Sequence, residues 1–422
     1  MRRALSVATL IAVVAACAPT PQPNLAPSDA STAAAASRVT EGTLVRIRIK
    51  NNDQKLAMLA DGLDLFAIKG DKADAVVTAK QLTKLKADGY SVEVLTAPSR
   101  SRGGLPAGYR NFSQIVTLMR TWQTQYPDLV KILDVGDTWE KTTGKSPNND
   151  ILALSITSPK NPGNKPAMLF MGGVHARELA PVELTLRLAQ KLIEGYGKDP
   201  AITQQLDTRE VVIIPVVNVD GRMQVEGGQQ MWRKNTHPFT GGTGVDLNRN
   251  FDSHWAYQGV PAPAGWSDSR WESFKQQVMD PESDAFSGPG AGSEPETQAL
   301  SKLFAQKRFT LSVDLHGYGE MMIWPVGHSL VPTPHEGLFK KLWQKTAPRY
   351  RGGTSMQLLY PTSGTTKDYA YEKLKSPGFT IEVGTDADGF RPDFSRLDKI
   401  WAELGPGLGY LVSIGDNPNA VQ

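Results

Sequence analysis

The sequence predicts an α/β fold in which helices cover both faces of a central sheet, preceded by a small ferredoxin-like domain. One observation is that, from Tyr109 onward, amphipathic helical stretches alternate with short apolar runs: ILALSIT, AMLFMGG, VVIIPVVNV, TLSVDL and GFTIEV. Runs that are apolar along their whole length indicate strands buried on both faces, as in sheets between two helical layers. The other observation is a β-α-β-β-α-β order of elements near the N-terminus.

The first 17 residues have the order of an export signal: two arginines, an apolar run too short to span a membrane, and then small residues. Cys17 ends the tetrapeptide VAAC, which resembles the lipobox of bacterial lipoproteins. We therefore expect a lipid on Cys17 to anchor the chain in the cell envelope, on its periplasmic or extracellular face. An ordinary cleavage site is the alternative. Residues 18–41, rich in Pro, Ala and Ser, are predicted to be a disordered tether.

The composition limits which partners the chain is expected to bind and which residues can form a metal site. The formal net charge of +3, without a block of consecutive Lys or Arg, argues against nucleic acid as a partner. Cys17 is the only cysteine, so the chain can form no internal disulfide. A metal site must therefore use His, Asp or Glu as ligands.

The small domain is predicted over residues 42–96. Its first strand, TLVRIRIK, alternates apolar and basic residues with the period of two that is typical of a half-buried strand. Helical DQKLAMLAD, strands DLFAIKG and DAVVTA, helical AKQLTKLKADG and strand YSVEVL follow. Residues 97–107 are predicted to be an exposed linker, in which Arg100 and Arg102 would admit a trypsin-like protease.

The large domain is predicted over residues 108–414, with residues 415–422 as a tail. Helices are expected over NFSQIVTLMRTWQTQYP, VELTLRLAQKLIEGY and SEPETQALSKLFAQ. These stretches have helical spacing of their apolar residues and lie between the apolar runs. The alternation of helices and buried strands indicates one large α/β domain.

Polar residues follow several of the apolar strands. His175 and Glu178 come after AMLFMGG, His316 comes after TLSVDL, and Glu382 lies near the end of GFTIEV. Ligands of open α/β sheets bind at this edge, beyond the carboxyl ends of the strands. Three protein ligands leave zinc an open position for chemistry, and His175, Glu178 and His316 meet that count. Glu382 alternates with apolar neighbours, so the pattern allows it to face water or, if buried, to act as a general base.

Two further clusters contain arginines. MWRKN contains Arg233, and GVDLNRNF contains Asp246, Asn248 and Arg249. A guanidinium can bind a carboxylate through two hydrogen bonds or stabilise an oxyanion as it develops. Surface ion pairs are the ordinary alternative for such arginines.

The segments HARE, WRKN, GVDLNRNF, DLHGYGE, LLYPTSGTTKDYAY and FTIEVG, in this order, resemble the zinc carboxypeptidases of the carboxypeptidase A and T type. The resemblance runs from about Tyr109 to about Ser413. It implies a mixed, mostly parallel central sheet and a monomeric peptide hydrolase with one Zn²⁺ per chain. Its substrates would be the C-termini of peptides or proteins. The small domain resembles the pro-regions of bacterial members, which would assist folding or block the site until the linker is cut.

The resemblance also implies the roles of individual residues. The implied zinc ligands are His175, Glu178 and His316. Asp246 would orient His175 through a hydrogen bond. Glu382 would be the general base that activates the attacking water and then protonates the leaving amine. Arg233 would help to stabilise the tetrahedral oxyanion.

The implied substrate contacts form a second group. Asn248 and Arg249 would hold the free C-terminal carboxylate of the substrate, which makes the enzyme an exopeptidase. Tyr360 resembles the mobile tyrosine that closes over the substrate terminus. Arg177 and Tyr318 match positions that contact the substrate upstream of the scissile bond.

Lys367 resembles the residue at the base of the pocket for the terminal side chain. A lysine there favours an acidic side chain by charge pairing, unless it extends into solvent and leaves the pocket broad. Two alternative functions stay open. One is a peptidase of cell-wall stem peptides, with the distal carboxylate of diaminopimelate on Lys367. The other is an inactive peptide-binding lipoprotein, which the presence of ligands, base and Arg233 disfavours.

Overall fold

The computed structural model describes residues 42–95 and 104–421. The predicted signal with Cys17, the tether and the linker residues Arg100 and Arg102 lie outside the described residues. The strands are β1 (Thr43–Arg48), β2 (Leu65–Lys69), β3 (Lys72–Val77), β4 (Val92–Val94), β5 (Val130–Asp137), β6 (Asp150–Ile156), β7 (Ala167–Met171), β8 (Glu210–Ile214), β9 (Pro238–Phe239), β10 (Gly242–Thr243), β11 (Leu311–Gly317), β12 (Met321–Trp324), β13 (Arg351–Thr354) and β14 (Gly378–Val383). The helices are α1 (Asn52–Ala60), α2 (Ala79–Ala87), α3 (Phe112–Gln125), α4 (Trp139–Thr142), α5 (Leu179–Gly195), α6 (Pro200–Thr208), α7 (Val219–Glu226), α8 (Asp268–Gln277), α9 (Pro295–Lys307), α10 (Glu336–Thr346), α11 (Ser355–Leu358), α12 (Thr366–Leu374) and α13 (Arg396–Ser413).

The central sheet has eight strands in the order β13-β12-β14-β11-β7-β8-β6-β5. The pairs β12–β13, β14–β11, β11–β7 and β7–β8 are parallel. The pairs β12–β14, β6–β8 and β5–β6 are antiparallel. The predicted mixed, mostly parallel sheet is therefore confirmed.

Strand β7 shows how helices cover both faces of this sheet. Met168 and Phe170 pack into a hydrophobic cluster with residues of α3, α5, α10 and α13. Leu169 and Met171 point to the opposite face, where they pack with residues of α9 and α12. Because successive side chains of a strand alternate between faces, a fully apolar strand requires two such layers.

The small domain forms a separate sheet with the order β2-β3-β1-β4, in which every pair is antiparallel. Its elements follow the predicted β-α-β-β-α-β order. Its core is continuous with the large domain, since Val45 and Ile47 belong to one cluster with Trp271 and Phe274 of α8 and with Tyr360. The small domain therefore packs on the large domain beside Tyr360.

Several elements depart from the sequence prediction. The run VVIIPVVNV is a strand only as far as Ile214, because Pro215 has no backbone N–H to donate to a neighbouring strand. Helix α5 begins at Leu179, earlier than predicted, since Pro181 is tolerated in a first helical turn. Strand β13 was not predicted, because its sequence RGGT lacks apolar alternation. Within the described part of the chain, no helix combines the length and apolarity needed to cross a membrane.

Candidate metal centre and substrate cleft

Three side chains converge at the carboxyl ends of β7 and β11. His175 lies in the loop after β7, Glu178 directly precedes α5, and His316 belongs to β11. His175 Nδ1 is 2.8 Å from Glu178 Oε1 and 3.0 Å from His316 Nδ1. His316 Nδ1 is 3.1 Å from Glu178 Oε2. Ligands at about 2.0–2.1 Å from a tetrahedral zinc are about 3.3 Å apart, so this His, Glu, His set has the donors and spacing for one zinc ion.

Each histidine is oriented by a buried carboxylate on its far side. His175 Nε2 is 3.1 Å from Asp246 Oδ1, as the sequence resemblance implies. His316 Nε2 is 2.9 Å from Asp314 Oδ2. In both rings the proton belongs on Nε2, which leaves the Nδ1 lone pair directed at the metal position. Asp314 was missed from the sequence, although it stands two residues before His316, on the same face of the strand.

The charges of the cluster favour a bound cation. Burial raises the pKa of the Glu178 carboxyl, but the adjacent His175 and His316 lower it further, so the net pKa is below its usual value. Burial lowers the pKa of His316, but Asp314 and Glu178 hold it well above its usual value. A metal ion competes with protons for these nitrogen atoms, so metal affinity falls as the pH falls.

Glu382 lies next to the ligand cluster. It stands on β14 in register with His316 of the parallel neighbour β11 and with Met321 of the antiparallel neighbour β12. The side chain is partly buried rather than turned fully to water. Burial raises the pKa of this carboxyl to about 8, against the lowering effect of His316 and with a further increase from Glu178. A carboxylate with a raised pKa is suited to accept a proton near neutral pH.

Arg233 supplies a buried positive charge at the same place. Its Nη2 donates to Asp246 Oδ2 at 2.8 Å, and its Nη1 is 3.1 Å from His175 Nδ1. Nη1 also lies 3.8 Å from Glu178 Oε1. Arg233 is therefore within reach of a group bound at the metal position.

Arg249 is a buried cation in contact with Asn248 and Tyr360. Arg249 Nη1 donates to the Asn248 carbonyl oxygen at 2.8 Å, and Nη2 donates to the Tyr360 hydroxyl oxygen at 3.1 Å. Its buried Nε finds no acceptor among the residues that the structure describes. The Asn248 side-chain oxygen accepts from the Thr366 backbone N–H at 2.9 Å. Arg249 thus retains donor capacity for an anionic ligand.

Asp64 of the small domain lies among these cationic groups. Its Oδ1 accepts a hydrogen bond from the Tyr360 hydroxyl. Its Oδ2 is 3.8 Å from Arg177 Nη2 and 4.0 Å from Arg233 Nη1. Burial raises the pKa of Asp64, but Arg233, Arg177 and Arg249 hold it below its usual value. Asp64 is therefore a buried carboxylate placed on the cleft by the small domain.

Tyr318 and Arg177 form a second group of contacts with the small domain. The Tyr318 hydroxyl donates to Asp74 Oδ2 at 2.8 Å, and its ring meets the Phe66 ring edge-on at 5.6 Å. The Arg177 guanidinium lies 4.5 Å from the Phe390 ring and 5.8 Å from the Phe66 ring. Both residues that the resemblance implies as contacts for the substrate upstream of the scissile bond are therefore in contact with the small domain.

Little space remains between the two domains at this point. The cavity lined by Asp64, Arg249, Tyr257 and Tyr360 measures about 20 Å³. A single water molecule requires about 10–15 Å³ by the same kind of measure. This cavity is therefore close in size to one or two water molecules and much smaller than an amino-acid residue.

Lys367 does not extend into solvent. Its side chain is 2 % exposed, and Nζ lies 2.9 Å from Asp368 Oδ2 and 3.3 Å from Thr365 Oγ1. Burial lowers the pKa of Lys367, while Asp368 raises it in part. Asp368 balances the charge of Lys367, and this partner was overlooked in the sequence although it is the next residue.

The comparisons with known proteins point to one family. A sequence profile described as zinc carboxypeptidase matches residues 115–406. A zinc carboxypeptidase of Saccharothrix mutabilis subsp. capreolus is 27% identical over 423 residues, covering 93% of this chain and 91% of that protein. Carboxypeptidase A4 of Mus musculus is 28% identical, covering 71% of this chain and 68% of that protein. The crystal structure of carboxypeptidase A from Helicoverpa armigera has the same fold, with a TM-score of 0.69 at 20% identity, covering 90% of this chain and 98% of that one.

Proposed function

The chain belongs to the zinc carboxypeptidase family, and from that premise we propose that it removes C-terminal residues one at a time from peptides whose terminal carboxylate is free. The observation that supports this most directly is the arrangement of two charged sites in one cleft. His175, Glu178 and His316 offer a zinc site, and Arg249 offers buried N–H donors for a carboxylate. An exopeptidase needs both, at a separation set by one amino-acid residue.

The proposed reaction uses residues on both sides of the scissile bond. When bound by its three ligands, zinc supplies a positive charge that polarises a peptide carbonyl and lowers the pKa of water. Glu382 takes a proton from the attacking water and gives it to the amine nitrogen as the C–N bond breaks. Arg233 stabilises the negative charge that develops on the carbonyl oxygen. Arg249 binds the terminal carboxylate, and Tyr360 covers it.

We propose further that the small domain holds the enzyme inactive until the linker is cut. Asp64 accepts from Tyr360 and lies near Arg177 and Arg233, so it competes with substrate for these groups. Asp74 engages Tyr318 in the same way. Every one of these contacts must break before a peptide can enter.

The terminal side chain is proposed to meet Lys367. The ammonium group has three N–H donors, and Asp368 and Thr365 take two of them. The third is available to a carboxylate of the substrate. Because Asp368 already balances the charge, the preference for acidic termini rests on one charged hydrogen bond, which contributes about 1.5 kcal/mol, or roughly tenfold in rate.

The test is a peptide library that varies only in its last residue, offered to the zinc-loaded protein after linker cleavage. We expect release of single C-terminal residues, with Glu released about tenfold faster than Leu. Lys367→Met should remove this preference, and Lys367→Asp should shift it toward Lys and Arg. The three proteins are compared by mass spectrometry of the released residues.

Equal release of Glu and Leu by the unaltered protein would rule out the assignment of Lys367 to the pocket. It would leave the exopeptidase assignment unaffected. Release of diaminopimelate from muropeptides, with no release from ordinary peptides, would instead support the cell-wall substrate. No release from either, with zinc bound and the linker cut, would contradict the proposed activity.

A further inference from the structure

We propose that the chain carries a second metal site, made by His254, His328 and Glu372, which takes a divalent transition metal of the zinc class. His254 lies in the loop that follows Arg249, His328 lies in the loop after β12, and Glu372 belongs to α12. Three segments distant in sequence thus bring together the same donor set as the catalytic cluster. The site does not depend on the proposed activity.

The ligand atoms of this second site are close enough for one ion. His328 Nε2 is 2.9 Å from Glu372 Oε1, and His254 Nε2 is 3.6 Å from the same oxygen. The two imidazole rings have their centroids 4.2 Å apart. One ligand atom from each residue lies within 4.8 Å of the others. A bound zinc ion would require side-chain rotations that bring all three atoms to about 2.0–2.2 Å from it.

Neighbouring groups orient the ligands for a cation. His254 Nδ1 is 3.0 Å from the Gln258 carbonyl oxygen, which can only accept, so Nδ1 carries a proton. In the neutral ring, His254 Nε2 then carries a lone pair, and this lone pair faces Glu372 Oε1, which is also a hydrogen-bond acceptor. A cation between these two atoms converts a repulsive contact into two bonds. The Ser253 hydroxyl donates to Glu372 Oε2, which leaves Oε1 toward the rings. Metal-binding His and carboxylate groups are oriented in this way by their outer partners.

The surroundings suit exchange of an ion with solvent. The His254 side chain is 39% exposed and the Glu372 side chain 21%, so one side of the site is open to water. Two imidazoles favour zinc and related transition metals over Mg²⁺ or Ca²⁺, which prefer oxygen ligands. His254 also has a left-handed backbone with φ of 49°, a conformation that non-glycine residues adopt mainly where surrounding contacts hold it.

The metal would connect segments that line the substrate cleft. His254 stands five residues after Arg249, and Glu372 stands five residues after Lys367 on α12. An ion bound to both, and to His328, cross-links the loop of the carboxylate-binding arginine to the helix of the pocket lysine. Its expected effect is therefore on the stability of the folded chain rather than on the chemical step.

The experiment measures the metal content of the full chain after saturation with zinc and removal of unbound ion. Elemental analysis should give two zinc ions per chain for the unaltered protein and one for His254→Gln and for His328→Gln. The matched control is His335→Gln, which removes a neighbouring histidine that binds the Tyr371 hydroxyl and is outside the cluster. This variant should retain two zinc ions. The same zinc content in the unaltered protein and in either cluster variant would overturn the proposal.

Thermal unfolding is a second test of the site, and it does not depend on counting zinc ions. Protein that holds one zinc per chain should unfold at a higher temperature when further zinc is added, because only the folded chain presents the second site. His254→Gln changes an exposed side chain and should fold, but it should show no such increase. An equal increase in the unaltered protein and in His254→Gln would contradict the assignment of His254 as a ligand.

Discussion

Glu382→Gln is expected to lower kcat by about a thousandfold or more while zinc stays bound. Glutamine has the shape of glutamate but cannot accept the proton of the attacking water, and general-base catalysis is worth about 10²–10⁴ in rate. The Glu382 carboxyl lies beside His316, one of the proposed ligands, and burial raises its pKa to about 8. Steady-state kinetics on the linker-cut protein, with zinc content measured in parallel, gives the answer.

The control for this variant is Glu320→Gln. Glu320 is another partly buried glutamate with a pKa raised by burial, and it lies close in sequence to β12 but outside the ligand cluster. Its replacement should leave kcat within about twofold of the unaltered protein, as for most substitutions away from a site. If Glu382→Gln turned over at a rate similar to Glu320→Gln, the role of Glu382 as base would be lost.

Cutting the linker at Arg100 or Arg102 is expected to raise kcat/KM by on the order of a hundredfold or more, since it frees the cleft from the small domain. Asp64→Ala should produce part of this gain in the uncut chain. Removing one partner of a buried ion pair destabilises the form in which the small domain covers the cleft by about 3 kcal/mol. This raises the population of the uncovered form by on the order of a hundredfold. Activity on a single peptide, before and after limited trypsin treatment, measures both effects.

Asp53→Ala provides the matched control for Asp64. Asp53 also joins the small domain to the large one, through an ion pair with Arg270, but its side chain is 78% exposed. Exposed pairs contribute little, so this variant should behave like the unaltered chain. An uncut Asp64→Ala protein no more active than Asp53→Ala, together with no gain on cleavage, would show that the small domain does not block the site.

The sequence was informative where the chemistry is local. His175 follows the apolar strand β7 and His316 lies near the end of β11, and the parallel sheet brings the ends of these strands to one edge. Five strands of the central sheet could be predicted because they are apolar along most of their length: β6, β7, β8, β11 and β14. Glu382 could not be decided from its alternation alone, since a strand beside the cleft shows the same pattern as a strand facing water.

The sequence was uninformative where residues meet over long distances. Asp64 has no local feature that distinguishes it from other acidic residues of the small domain, and its position depends on how the two domains pack. His254 and His328 are in polar loops, and only the fold brings them to Glu372. By contrast, Asp314 and Asp368 were within reach of sequence reasoning, because each lies within two residues of the group it holds.

The central claim is that the cleft binds a free terminal carboxylate and that a zinc-dependent reaction cuts next to it. One peptide, compared as the free acid and as its C-terminal amide with zinc-loaded, linker-cut protein, tests this most directly. Mass spectrometry should show stepwise loss of single residues from the acid, at least a hundredfold slower loss from the amide, and no loss from either after chelation of zinc. Internal cleavage, equal rates for acid and amide, or full activity of the metal-free protein would contradict the account.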